Sequence, residues 1–161
     1  MSISGLSAWR TRRQKAEPNK REGHGKGMNR REVREHVFVM LFQSEFHDAS
    51  EIPEQNELYF ENYVASAKED EAAYIKDRFA RVRENFGTID PVLSEATSGW
   101  KLGRMGKVEL SLLRLAVFEM KCDDEIPEKV AINEAVELAK KFGGDASSGF
   151  VNGVLAKLAQ K

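Results

Sequence analysis

The sequence has one cysteine, Cys122, and three histidines, His24, His36 and His47. A lone cysteine cannot close an internal disulfide, which fits a reducing compartment. No His/Cys spacing matches a zinc site, and no glycine-rich loop follows a strand pattern to cradle phosphate. Cys122 falls at the end of a helical pattern, where the negative end of the helix dipole disfavours a thiolate. Glu69, Asp70 and Glu71 read as a solvated helix start. The chain is therefore expected to be no enzyme, with no catalytic residue, no metal and no cofactor. Long apolar runs are missing too. None approaches the roughly 20 residues needed to cross a bilayer, and no apolar stretch follows the basic N-terminus as in a secretory signal. A cytoplasmic protein without membrane contact is expected.

What the chain does have is an uneven charge distribution. Residues 1–34 hold ten Lys/Arg against three Asp/Glu, whereas residues 35–161 hold 15 against 23, so a net charge of -1 hides +7 and -8. A basic arm on an acidic body points to a polyanion at one end; the bland alternative is a solvated tail. Residues 1–27, "MSISGLSAWRTRRQKAEPNKREGHGKG", hold too few apolar side chains to offset ordering entropy and read as a mobile basic extension. Met28 reads as a second start. Residues 28–161 read as the folded domain, long enough for a real core.

From Asn29 the pattern is helical throughout. Asn29 is a candidate N-cap for a helix carrying Val33, Val37, Phe38, Leu41 and Phe42 at helical spacing. Pro53 opens a second, acidic helix, with Glu54, Glu57 and Glu61 on one surface. Ile75, Phe79, Val82 and Phe86 form one stripe, ended by Gly87. "TIDPVLSEATSGW" reads as a shorter helix with Pro91 in its first turn. Val108, Leu112, Leu115, Ala116 and Met120 point inward from the next. Pro127 takes a first helical position ahead of "EKVAINEAVELAKKF", and a last helix runs from about Ser147 to Ala159. About seven helices and no convincing strand make the fold all-α.

Arg30, Arg31 and Arg34 lie three and four residues apart, so all can project from the first turns of one helix. The planar guanidinium fork suits phosphate. Single-stranded RNA also needs stacking or base-edge groups; candidates are Ser147 and Ser148 in the turn entering the last helix, then Phe150 and Asn152. For Phe150 alone, periodicity favours a core contact. Lys141 adds charge near the same loop or pairs with Glu137 at i,i+4. Phe42, Glu45 and Glu109 look exposed and, with the acidic surface, suit a basic protein partner. Gly153, inside a helix, is expected at a close helix–helix approach that fixes the turn carrying Phe150. Asn133 is expected to satisfy backbone groups or a neighbouring loop rather than to touch RNA.

"NRREVREHVFVMLFQ", "WKLGRMGKVELSLLRLAVFEM", "IPEKVAINEAVELAKKFG" and "FVNGVLAKLA" follow one another at spacings that resemble the NusB family of transcription antitermination factors. The resemblance covers roughly residues 28–160. It implies an all-helical fold of two small packed bundles. It also implies binding of boxA-type single-stranded RNA jointly with the ribosomal protein NusE, in an RNA polymerase antitermination complex that reads through terminators during ribosomal RNA synthesis. Carried onto this chain, the resemblance makes Arg30, Arg31 and Arg34 RNA contacts, and likewise Ser147, Ser148, Phe150 and Asn152. It places Phe42 and Glu109 on the NusE-facing surface; apolar surface on the first bundle serves either NusE or a homodimer. Ala146 stands where the family often has an acidic residue. The alternative is a helical module like that fused to ribosomal RNA cytosine methyltransferases, although the chain leaves no room for the methyltransferase domain.

Overall fold

The computed structural model describes residues 27–98 and 101–159. The extension expected over residues 1–27 therefore lies, except for Gly27, outside the described residues, as does Trp100. Among the described residues there are seven α-helices and no strand. They are α1 (Arg30–Ser44), α2 (Ile52–Tyr63), α3 (Glu69–Glu84), α4 (Phe86–Ala96), α5 (Lys107–Cys122), α6 (Glu128–Phe142) and α7 (Asp145–Ala159). The described residues divide into two compact units, the first up to Ala80 and the second from Arg81.

In the first unit, α1 begins at Asn29 as its sequence predicts. The Glu32 amide donates to Asn29 Oδ1 and the Asn29 amide to Glu32 Oε1, both at 2.8 Å. This reciprocal box satisfies two orphan donors of the first turn. Val33, Val37, Phe38, Met40 and Leu41 form the buried face of α1. Pro53 stands in the first turn of α2, where its missing N–H costs nothing. Glu71 departs from expectation. Far from being solvated, it is buried, accepting the Lys68 amide at 3.1 Å and the Met28 amide at 2.8 Å. One carboxylate thus caps α3 and ties down the chain entering α1.

Gly87 does not end α3. Asn85 does: its side-chain amide donates to the Arg81 carbonyl at 2.7 Å, and its own carbonyl accepts the Ile89 amide at 2.9 Å to start α4. Gly87 then lies in the first turn of α4, and Pro91 lies in its interior, not its first turn. The Gly87 carbonyl loses its Pro91 donor. Both residues are exposed, so water can replace it.

In the second unit α5 packs against α4, α6 and α7. Leu110 to Leu113 and Leu115 to Glu119 are buried, so α5 is covered nearly all round. Val108 and Met120, expected inward, are half-buried. Pro127 is the N-cap of α6, one residue before the position predicted. The α6–α7 connection uses Gly144 at φ +94, a left-handed conformation that glycine adopts without a Cβ penalty. The Gly143 and Gly144 amides both donate to the Ala139 carbonyl, at 2.7 and 2.9 Å. Lys157 on α7 caps α4, donating to the Ala96 carbonyl at 3.1 Å.

Two expectations about polar and small residues fail. Gly153 sits at no close approach: a Cβ there meets nothing within 4 Å. Asn133 is exposed, and its side chain makes no hydrogen bond to backbone or loop among the described residues. Gly153→Ala is accordingly expected to stabilise the fold by about 0.5–1 kcal/mol, the helix-propensity difference with no steric cost. Urea unfolding followed by circular dichroism checks this; a lower midpoint would mean that the site is tighter than its open surroundings indicate.

Candidate nucleic-acid interface

Arg30, Arg31 and Arg34 occupy the first turns of α1, directly after the Asn29 cap. Arg30 and Arg31 are exposed and Arg34 is half-buried. A helix N-terminus carries partial positive charge and unpaired amides, so arginines there reinforce attraction for phosphate. Further along α1, Phe42 is half-buried between Phe38, at 6.2 Å between ring centroids, and Phe46, at 5.2 Å edge to face. Phe46 is 61 % exposed and extends the ladder outward. Sequence reasoning passed over it, though the i,i+4 spacing of Phe38, Phe42 and Phe46 was there to read. Glu45, the C-cap of α1, is half-buried like Phe42, so neither is as exposed as the sequence suggested. Glu54, Glu57 and Glu61 are all exposed along α2, with Leu58 and Tyr63 also exposed.

His36 and Tyr59 form a polar pair beneath this surface, Nδ1 to hydroxyl at 2.7 Å. Burial lowers the His36 pKa below 6.5, against the opposing pull of Glu35 and Glu32, and raises that of Tyr59 to about 12. Both groups are therefore neutral near pH 7. The phenol can donate to a neutral imidazole, an arrangement that orders a helix pair.

In the second unit the RNA candidates fall on the first turns of α7, which starts at Asp145, two residues before the start predicted. Ser147 and Ser148 are consequently inside the helix and buried, not in the entering turn. Ser148 donates to the Asp145 carbonyl at 2.9 Å; Ser147 donates to Glu109. Phe150 is half-buried and Asn152 exposed. The outward side also carries Ala146, Gly149 and Gly153, with open space around both glycines. That leaves the α7 backbone approachable around Asn152. Lys141 is exposed, its ammonium 5.5 Å from the centroid of the Phe142 ring, and Glu137 is met by Lys140 at 3.6 Å. Glu109, expected to be exposed, is half-buried. Cys122 is the last residue of α5 and half-buried. Among the described residues no group of three or more His, Cys, Asp or Glu side chains is placed to hold a metal, and no helix is long and apolar enough to cross a membrane.

The family model described as "NusB family" matches residues 31–160. The chain belongs to the NusB family. It is 55% identical over 131 residues to the transcription antitermination protein NusB of Lachnoclostridium phytofermentans, spanning 81% of this chain and 98% of that protein. Its fold is similar to a solved structure of T. maritima NusB, with a TM-score of 0.73 and 33% identity over 84% of this chain and 93% of the other. It also shares its fold with a chain of a solved structure of the antitermination factors NusB and NusE in complex with dsRNA. There the TM-score is 0.69 at 23% identity, over 81% of this chain and 96% of that one.

Proposed function

We propose that this NusB-family chain is a non-catalytic, cytoplasmic transcription antitermination factor. It binds boxA-type single-stranded RNA together with the ribosomal protein NusE, within an RNA polymerase antitermination complex. The observation that carries the reading is the 55% identity to a transcription antitermination protein along 98% of that protein's length. The local chemistry agrees. Arg30 and Arg31 are exposed at a capped helix N-terminus, where phosphate is bound by charge and by bidentate hydrogen bonds together. Asn152, Lys141 and Phe150 supply base-edge, charge and ring contacts from the second unit. Ser147 and Ser148 serve RNA binding by shaping the start of α7. Phe42, Phe46 and Glu45 offer NusE an aromatic surface with an acidic edge. The domain from Met28 onward carries the selective contacts, and the seven Lys/Arg of residues 1–27 add phosphate contacts of low selectivity.

Each phosphate neutralised on a single strand contributes about 0.7 to the slope of log affinity against log salt. The Arg30/Arg31/Arg34→Ala variant should therefore bind a boxA-like RNA more weakly, with a slope smaller by about 2. Fluorescence-anisotropy titrations at several salt concentrations measure both. An unchanged slope would remove these arginines from the RNA interface.

A further inference from the structure

The first turns of α5 and α7 are joined by one side-chain pair. Ser147, buried at the third position of α7, donates its hydroxyl to Oε2 of Glu109, at the third position of α5. The same hydroxyl lies 3.2 Å from the Gly143 carbonyl. Two glycines frame the pair. A Cβ on Gly106 would overlap the Glu109 carboxylate, and a Cβ on Gly143 would stand 2.7 Å from Ser147 Cβ. The carboxylate thus stands at the first turns of two helices at once, on its own helix α5 and against α7. The turn it restrains is intrinsically loose, because Gly143 and Gly144 are consecutive glycines and Gly144 is left-handed. The Glu109 carboxylate reaches the first turn of α7 from another helix.

We propose that Glu109 is a positioning residue for RNA binding: by accepting the Ser147 hydroxyl it fixes the α6–α7 turn and the first turn of α7, and so sets where Lys141 and Asn152 meet the RNA. The inference rests on the RNA reading of the α7 N-terminus given above. It assigns Ser147 to the latch that shapes this surface. The pair spans 38 residues of sequence, so no local motif signals it.

The test compares the full chain with Glu109→Ala, Glu109→Gln and Gly106→Ala. Each is titrated with a boxA-like RNA and a scrambled RNA at a temperature where urea unfolding shows all four folded. Glu109→Ala should bind the boxA-like RNA about fivefold more weakly, the loss expected when one charge-assisted hydrogen bond is only partly expressed in binding. Glu109→Gln keeps an accepting oxygen and should recover to within about twofold. Gly106→Ala leaves both partners in place but displaces the carboxylate, and should behave like Glu109→Ala. Amide hydrogen exchange over residues 143–148 should quicken in the two weak binders and not in Glu109→Gln. A selective parent with an unaffected Glu109→Ala, or a Glu109→Gln as weak as Glu109→Ala, would overturn the proposal while leaving the RNA reading intact. A parent that fails to discriminate the two RNAs would instead overturn the RNA reading, and this inference with it.

Discussion

Phe118→Ala is expected to cost about 3–5 kcal/mol of folding stability, the range for emptying an aromatic site in a packed core. Phe118 is 1% exposed, on a helix covered nearly all round, so the surrounding side chains have no solvent edge from which to collapse into the void. The ring also lies 5.4 Å under the Arg81 guanidinium, which loses its aromatic partner. Set against the 5–15 kcal/mol typical of a whole domain, this brings the second unit close to unfolding at room temperature. Urea unfolding by circular dichroism measures it, with Phe118→Leu as the milder comparison. A loss below about 1 kcal/mol would mean that the site relaxes, contrary to its burial.

Arg114→Ala is expected to cost about 2–3 kcal/mol. Its Nε and Nη2 donate to Asp90 Oδ1 and Oδ2 at 2.9 and 2.8 Å, a bidentate fork, while its guanidinium stacks 3.8 Å from the Phe86 ring centroid. Charge-assisted bonds contribute about 1.5–3 kcal/mol and a partly desolvated cation–π contact about 0.5–2. The Asp90 side chain keeps 29% of its exposure, so water recovers part of that loss. Arg114→Lys restores the charge without the planar fork or the stacking face, and should recover less than half. In an Asp90→Ala/Arg114→Ala double-mutant cycle the coupling should exceed about 0.5 kcal/mol. Strict additivity would show the pair to be geometric only.

The helices were legible because apolar spacing and cap chemistry are local. Asn29 with Glu32, Pro53 and the Val33–Val37–Leu41 stripe each identify an element within a few residues. Boundaries were less legible where two signals compete. Gly87 looks like a stop, but the Asn85 side chain ends α3 first, and α4 then runs through glycine and proline alike. The start of α7 was misplaced because "DASS" offers three polar residues suited to a helix start, and the helix begins at Asp145, ahead of both serines. On α5, Ser111 and Glu119 break the apolar pattern, so a helix covered nearly all round reads as one with a single inward stripe.

The candidate site divides in the same way. Arg30 and Arg31 could be placed on a helix start from spacing alone, because exposed charge follows the helical period. The burial of Glu71 and the role of Glu109 could not, since their partners, Met28 and Ser147, stand 43 and 38 residues away. Gly153 misled for the opposite reason. A helical glycine suggests a close neighbour, yet here it only leaves backbone open beside Asn152.

The most direct measurement is an anisotropy titration of the full chain with a boxA-like RNA and a scrambled RNA of equal length and charge, with and without NusE. Selective binding of the boxA-like RNA, tightened about fivefold or more by NusE, is the predicted result, since two ligands on one binder that favour each other are coupled by at least that factor. Equal, weak binding to both RNAs, indifferent to NusE, would contradict it and reduce the basic N-terminal region to a non-specific polyanion patch.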